Sequence, residues 1–282
     1  MRIIRDIRTM QAASREARTH GLTIGFVPTM GALHEGHLSL VRQARAASGL
    51  VVVSIFVNPL QFGPSEDFTQ YPRTLEADCA RLEPEGVEIV FAPSPDQMYP
   101  AGATTVVHVE GLSDKLDGRS RPGHFRGVTT VVAKLFHIVQ PDYAVFGQKD
   151  AAQVAVLRRM VRDLNMDVEL IVAPIVREAD GLALSSRNAY LSAGQRQQAL
   201  VLHRALQRVE SLASSGETRA ESLRSAALAV LASEPAAKLD YFEIIDSDTL
   251  EPLADVGHGA LAAVAASFGA TRLIDNLLIP AR

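Results

Sequence analysis

The sequence predicts a doubly wound parallel α/β sheet followed by a smaller α+β module, and three stretches carry that prediction. An apolar run, Leu22 to Val27, leads through a glycine-rich turn into a helical pattern with Leu38, Leu40, Val41 and Ala44 on one face. Next comes Leu50-Val-Val-Val-Ser-Ile-Phe-Val57, almost wholly apolar and β-branched. Such a run suits a strand covered on both faces, as in a parallel sheet. Strand, helix and strand at this spacing form a βαβ unit with a right-handed crossover. After about residue 176 the alternation stops, which places a domain boundary near Ile175 and divides the chain into 1–175 and 176–282.

Taken in order, residues 8–19 read as an amphipathic helix, 22–27 as a strand and 37–47 as a helix. The strand at 50–57 ends in Asn58-Pro59-Leu60-Gln61-Phe62-Gly63, a loop expected at the carboxyl edge of the sheet, where open α/β sheets bind ligands. Arg73 to Leu82 reads as a helix, Val87 to Phe91 as a strand and Thr104 to Val109 as another. Gly118 to Gly127 is a polar, glycine-rich loop with three arginines, running into an apolar helix from Val128 to Val139. Tyr143 to Phe146 is a strand ending at Gly147-Gln148-Lys149-Asp150, which begins the next helix. Val168 to Val172 closes the series. Beyond it, Arg177 to Asn188 is a loop with Asp180-Gly181 as a turn. Ser192 opens a helix reaching Ser214 that Gly216 closes. A second helix spans 217–233, and strands lie near 239–245, 260–267 and 271–279.

The 282 residues are 47% hydrophobic and 21% charged, ordinary for a globular protein. No apolar run approaches the ~20 residues that span a bilayer, and Met1-Arg-Ile-Ile-Arg-Asp6 lacks a signal-peptide core. Cys79 is the one cysteine, which excludes an internal disulfide and fits a reducing cytoplasm. Its place in the pattern Leu75, Cys79, Leu82 favours buried packing over nucleophilic work. With a net charge of -4, no global basic field recruits nucleic acid.

The chemistry concentrates in Phe26-Val-Pro-Thr-Met-Gly-Ala-Leu-His-Glu-Gly-His37. Gly31 and Gly36 let backbone approach a ligand without Cβ interference, and a helix beginning near Gly36 presents free N–H groups and a positive dipole end. Strand, glycine turn and helix start together form an anion site, most often for phosphate. His34 and His37, three apart, share one helical side. As two donors there they point to transition-state stabilisation in phosphate chemistry, against the plainer reading of two surface histidines. Lys149, starting a helix directly after a strand, is placed to hold a β- or γ-phosphate. Leu184-Ser185-Ser186-Arg187 offers two hydroxyls and a guanidinium for a triphosphate. Asn58, Gln61 and Gln153 are neutral amides suited to orienting a carboxylate or hydroxyls, though each alone reads equally as a surface amide. Arg119, Arg121, His124 and Arg126 form either a substrate lid or a solvated loop.

Together these segments resemble the pantoate–β-alanine ligase family. The matching stretches are Val27 to His37, Val53 to Phe62, Tyr71-Pro-Arg-Thr74, Ser120 to Val128, Gly181 to Asn188 and Arg272-Leu-Ile-Asp-Asn276, which span nearly the whole chain. The resemblance implies a Rossmann-like fold of the nucleotidyltransferase group whose first helix opens with His-x-Gly-His; the expected division of the site between the 26–37 turn and the 184–187 loop, across the domain boundary, makes the smaller C-terminal domain a lid. It implies condensation of pantoate with β-alanine through a pantoyl-adenylate, with ATP as substrate, Mg2+ as cofactor, and a cytoplasmic homodimer. Carried over by position, ATP falls to Met30, Gly31, Ala32, Leu33, His34, Glu35, Gly36 and His37. Gly147, Gln148, Lys149, Asp150, Val176, Leu184, Ser185, Ser186 and Arg187 join them. Pantoate falls to Asn58, Gln61 and Gln153, and β-alanine to Gln61. The catalytic set is His34, His37, Lys149, Ser185, Ser186 and Arg187, with His37 at the position usually named proton donor; the metal ligands are not specified. Two departures stand out. Ala151 and Ala152 replace an aromatic and a glutamine, and Gln148 stands where glutamate is frequent, which weakens a magnesium role there.

Adenylyltransferases of the same superfamily that join two phosphates need added cations in their second pocket, whereas here that loop carries Asn58 and Gln61. A non-catalytic nucleotide-binding protein would bind ATP without turnover. An aminoacyl-tRNA ligase is disfavoured by the acidic balance and the lack of a tRNA-binding module.

Overall fold

A computed structural model describes residues 1–63 and 68–282. It divides into two compact units, Met1–Gly147 with Val156–Ala173, and Gln148–Ala155 with Pro174–Arg282.

The larger unit is built on six parallel strands, β1 (Arg2–Ile4), β2 (Ile24–Thr29), β3 (Leu50–Ile55), β4 (Ile89–Phe91), β5 (Tyr143–Gly147) and β6 (Glu169–Ala173), ordered β1-β4-β3-β2-β5-β6. The helices are α1 (Ile7–Thr19), α2 (Glu35–Ala47), α3 (Leu75–Leu82), α4 (Pro95–Met98), α5 (Asp117–Ser120), α6 (His124–Val139) and α7 (Ala151–Asp163), the last shared between the two units by residue membership. Val27, Val41, Ala44, Val53, Val90 and Val145 form part of one buried cluster between sheet and helices. The expected doubly wound parallel sheet is therefore present, with a smaller antiparallel domain after it.

Several elements differ from expectation. β1 escaped the sequence reading because three residues with only Ile4 buried carry no periodicity. β2 starts at Ile24, leaving Leu22 exposed, and continues through Pro28 and Thr29. Proline is tolerated there because β2 pairs with β3 along its length but with β5 only at Gly25 and Phe26, so no ladder on the β5 side needs the missing N–H. The 104–109 stretch is not a strand. At its centre Val107 is held by helix side chains instead: its N–H donates to Thr130 Oγ1 at 3.0 Å, and Thr129 Oγ1 donates to its carbonyl at 2.7 Å. The expected 118–127 loop contains α5 and the start of α6.

Strand order reverses between β2 and β5, since β3, β4 and β1 extend to one side and β6 to the other. The carboxyl ends of such a strand pair are the usual ligand crevice of this topology.

The smaller unit has an antiparallel sheet, β7 (Lys238–Ile245), β8 (Ala260–Phe268) and β9 (Thr271–Ile279), in that order. Helices α8 (Ala193–Ser214) and α9 (Ala220–Leu231) share a core with it that includes Leu202, Leu206, Leu223, Phe242, Val264 and Phe268. Ser192 caps α8 in a reciprocal box with Gln195. Among the described residues no helix is long and apolar enough to cross a membrane.

Candidate active site

In the larger unit the loop after β2 turns through two left-handed residues, Gly31 at φ +87° and Ala32 at φ +51°. A carboxylate from α3 holds it: Asp78 is 2% exposed, and its oxygens accept from Ala32 N–H at 3.0 Å, Leu33 N–H at 2.8 Å and Thr74 Oγ1 at 3.2 Å. A Cβ on Gly31 would stand 3.0 Å from Asp78 Oδ2, so glycine serves both the turn and this close approach. Sequence reasoning passed over Asp78. The available signal was an acidic residue on the apolar face that also carries Cys79 and Leu82.

The loop delivers the two histidines to the start of α2, where they cap it. Gly36 N–H donates to His34 Nδ1 at 3.2 Å, and His34 N–H donates to His37 Nδ1 at 3.2 Å, with the ring centroids 4.1 Å apart. This is a capping box made of histidines. An Nδ1 that accepts must be unprotonated, so both neutral rings carry their proton on Nε2. The expectation of free backbone donors here is narrowed, since in the first turn of α2 Gly36 N–H goes to His34 Nδ1 and His37 N–H to His34 O. The N–H groups of Ala32 and Leu33 are taken by Asp78, and those of His34 and Gly36 by the histidines. Donation from this helix start therefore rests chiefly on side-chain Nε2–H groups and the helix dipole.

The Asn58–Phe62 turn lies beside this loop, with Gln61 Nε2 3.0 Å from Met30 Sδ. Asn58 is 1% exposed, and its polar atoms are engaged within the protein. Nδ2 donates to Gln61 Oε1 and Gly127 O, both at 3.1 Å, while Oδ1 accepts from Tyr99 Oη at 2.8 Å and Leu60 N–H at 3.3 Å. It is a residue expected to touch pantoate, and within the protein one of its bonds goes to the Gln61 side chain. Burial pushes the Tyr99 phenol up, which keeps it a donor to Asn58. Gly127 lets α6 seat on this turn, since a Cβ there would fall 2.3 Å from Leu60 O.

The three arginines and the histidine of the 119–126 stretch separate. Arg119 and Arg126 are exposed, while Arg121 and His124 are half-buried. His124 Nδ1 donates to Gln61 O at 2.8 Å, and Arg121 Nη1 lies 3.1 Å from His124 Nε2. Because the carbonyl can only accept, His124 carries its proton on Nδ1 and receives Arg121 on Nε2. Gln61, Arg121, His124 and Tyr99 line a cavity of about 880 Å³.

In the smaller unit Gln148, Lys149 and Asp150 form a 3₁₀ turn, with Lys149 half-buried and Asp150 exposed. Gln153 sits half-buried on the first turn of α7, and Ala151 and Ala152 are buried. The 176–188 segment is a hairpin: Leu184 N–H donates to Val176 O at 3.0 Å, Arg177 bridges to Ala183, and Gly181 turns at φ +94°. Ser185 Oγ accepts from Arg187 N–H at 3.2 Å, and Ser185, Ser186 and Arg187 are half-buried. Two β9 residues hold these segments. Asn276 donates to the carbonyls of Gln148 and Lys149, and Asp275 makes a two-pronged ion pair with Arg177. Both lie in the Arg272–Asn276 stretch, to which sequence reasoning assigned no role.

Cys79 is buried on α3, and burial, then the neighbouring Asp78 charge, pushes its thiol up; it packs rather than reacts. Among the described residues no three His, Cys, Asp or Glu side chains converge to hold a metal ion.

The pantoate–β-alanine ligase family model matches residues 2–278. The pantothenate synthetase of Koribacter versatilis (strain Ellin345) is 65% identical over 281 residues, covering 100% of this chain and 97% of that protein. A crystal structure of pantothenate synthetase from Thermus thermophilus superposes with a TM-score of 0.94 at 48% identity, covering 99% of this chain and 100% of that one. A Francisella tularensis pantoate–β-alanine ligase, complexed with β-γ ATP and β-alanine, superposes with a TM-score of 0.79 at 34% identity, covering 99% of this chain and 97% of that one. Matched along nearly its whole length in sequence and fold, this chain is an enzyme and belongs to the pantoate–β-alanine ligase family.

Proposed function

We propose that this enzyme joins (R)-pantoate to β-alanine at the expense of ATP, through a pantoyl-adenylate. The observation that carries the reading is the histidine pair at the carboxyl end of β2. Each Nδ1 is fixed by a backbone N–H, and each Nε2 bears the proton. In the first step a pantoate carboxylate oxygen attacks the α-phosphorus, the bond to the bridging oxygen breaks, and pyrophosphate leaves. In the second the β-alanine amine attacks the acyl carbon and loses a proton, and AMP leaves. The first step gathers negative charge on phosphate oxygens. Fixed N–H donors such as His34 and His37 stabilise that charge without reorganising. Lys149 and the Ser185-Ser186-Arg187 segment hold the β- and γ-phosphates, and Gln61 and Gln153 orient pantoate, with Gln61 also meeting β-alanine. Neutral amides bind hydroxyls and a carboxylate without damping the nucleophile as a bound guanidinium would.

Mg2+ would accompany the nucleotide. An ion shared with a triphosphate needs only one or two protein oxygens. Asp150 would offer one; the Gln148 side chain, whose Nε2 donates to Asn276 Oδ1, would offer a neutral amide oxygen in place of a carboxylate. When bound, the ion neutralises phosphate charge, and no protein step above runs through it. The resemblance further supports a homodimer working in the cytoplasm, with the smaller unit serving as a lid that excludes water from the acyl phosphate.

The reading is tested by isotope exchange. Pantoate alone should drive labelled pyrophosphate into ATP, and β-alanine alone should not. Exchange that requires β-alanine would replace the free adenylate with a concerted ligation.

A further inference from the structure

We propose that Asp275 and Asn276, adjacent on β9, are positioning residues that set the two nucleotide-holding segments of the smaller unit, the 148–150 turn and the 177–187 hairpin. The proposal rests on the reading that Lys149 and Ser185–Arg187 hold ATP.

Asn276 is 3% exposed and spends its whole amide on the turn. Nδ2 donates to Gln148 O and to Lys149 O, both at 2.9 Å, and Oδ1 accepts from Gln148 Nε2 at 3.0 Å. A side chain of this size offering two donors and an acceptor must be a primary amide. Aspartate would set an anion against two carbonyl oxygens. With both carbonyls pinned, the backbone from which the Lys149 side chain departs has one orientation.

Asp275, 4% exposed, meets Arg177 through two parallel bonds, Nη1–Oδ2 at 2.6 Å and Nη2–Oδ1 at 2.9 Å. The same Arg177 Nη1 donates to Gly181 O at 3.1 Å, so one guanidinium ties the base of the hairpin to its turn. The fork of a guanidinium on a carboxylate fixes angle as well as distance. A buried ion pair of this kind is weak evidence for stability, and its clearest gain is geometric. Asp275 Oδ1 also accepts from Asn276 N–H at 2.8 Å, joining the two arms. Every bond named here ends on protein, so these residues act through Lys149 and the 184–187 segment.

The test uses same-size variants and substrate-resolved kinetics. Asn276→Asp should raise the ATP KM at least about tenfold, since a 1 Å misplacement of a binding group has effects of that order. The KM values for pantoate and β-alanine should stay within about twofold. In a Lys149→Ala background the further effect of Asn276→Asp should largely vanish, because residues acting through one group are not additive. An equal rise in all three KM values, or full additivity with Lys149→Ala, would overturn the proposal. Lys149→Ala that leaves the ATP KM unchanged would instead remove the underlying reading of Lys149. If Asn276→Asp fails to fold, Asp275→Asn in an Arg187→Ala background decides by the same criteria. Failure of both to fold would make the pair structural and overturn the positioning role.

Discussion

The two units hold their functional segments by opposite chemistry. In the larger unit the protein addresses backbone donors: Asp78 takes the N–H groups of Ala32 and Leu33, and the histidine pair takes those of His34 and Gly36. In the smaller unit it addresses backbone acceptors, as Asn276 donates to the carbonyls of Gln148 and Lys149 and Arg177 donates to that of Gly181. On the proposed reading both arrangements serve an anion. An acceptor on the N–H groups fixes the turn that carries the histidines of α2. Donors on the carbonyls fix the turn that carries Lys149. The residues proposed to meet the ligand sit in short local motifs, whereas those shaping their backbone come from far away, Asp78 from a later helix and Asn276 from the last strand.

The histidines give the largest effect that can break this comparison. His37→Ala should lower the single-turnover rate of adenylate formation by about 10²–10³, the usual cost of losing a preorganised donor. An unchanged rate would remove the pair from the chemistry. His34 separates capping from catalysis, because it also caps α2. His34→Ala should lose about 1 kcal/mol of stability as well as rate. His34→Asn should restore the stability, since Asn is a good N-cap, while the rate stays low. Recovery of both would reduce His34 to a cap.

Asp78 comes next. Asp78→Ala leaves two backbone donors without their acceptor at a buried position, which should cost about 2–4 kcal/mol in urea unfolding. Activity should fall with it, because the turn that delivers His34 is no longer held. A loss below about 1 kcal/mol would mean that another group or water replaces the carboxylate.

These contrasts mark what the sequence could reveal. The βαβ unit from Leu22 to Val57, the parallel sheet and the antiparallel module were legible because β-branched runs and helical stripes are local signals. His34, His37, Lys149, Gln61 and the Ser185–Arg187 segment stood out as candidates on local motifs, a glycine turn opening a helix, a lysine directly after a strand, an amide in a strand-end loop and two hydroxyls beside a guanidinium. β1 was too short to register. The 104–109 run looked like a strand because its backbone partners, Thr129 and Thr130, sit on a helix more than twenty residues later. Asn58 stood out as an amide in the strand-end loop, but its engagement with Tyr99 and Gly127 was not legible, because both partners lie far away in sequence.

The smallest effect belongs to the exposed counterpart of the Arg177–Asp275 pair. Arg196, on the first turn of α8, bonds Glu178 Oε1 at 3.0 Å and Asp180 Oδ2 at 2.7 Å across the outer face of the hairpin. The Arg196 guanidinium holds the Glu178 carboxyl below its ordinary 4.5, with Asn188 adding to the effect. A carboxyl depressed in the folded state contributes stability that is present above the unfolded value and is lost as pH falls through the folded one. Arg196→Ala should therefore cost about 0.5–1 kcal/mol at pH 7, the range of a partly exposed ion pair. The gap from wild type should narrow as pH falls from 4.5 through the lower folded value, below which both proteins carry a protonated Glu178. Added salt should also shrink it at neutral pH, as expected for a pair within reach of solvent ions. Paired urea melts at neutral and acidic pH measure both trends. A gap that stays constant with pH would assign the loss to the packing of the Arg196 stem, and the hairpin would then owe its outer face to apolar contact rather than to charge.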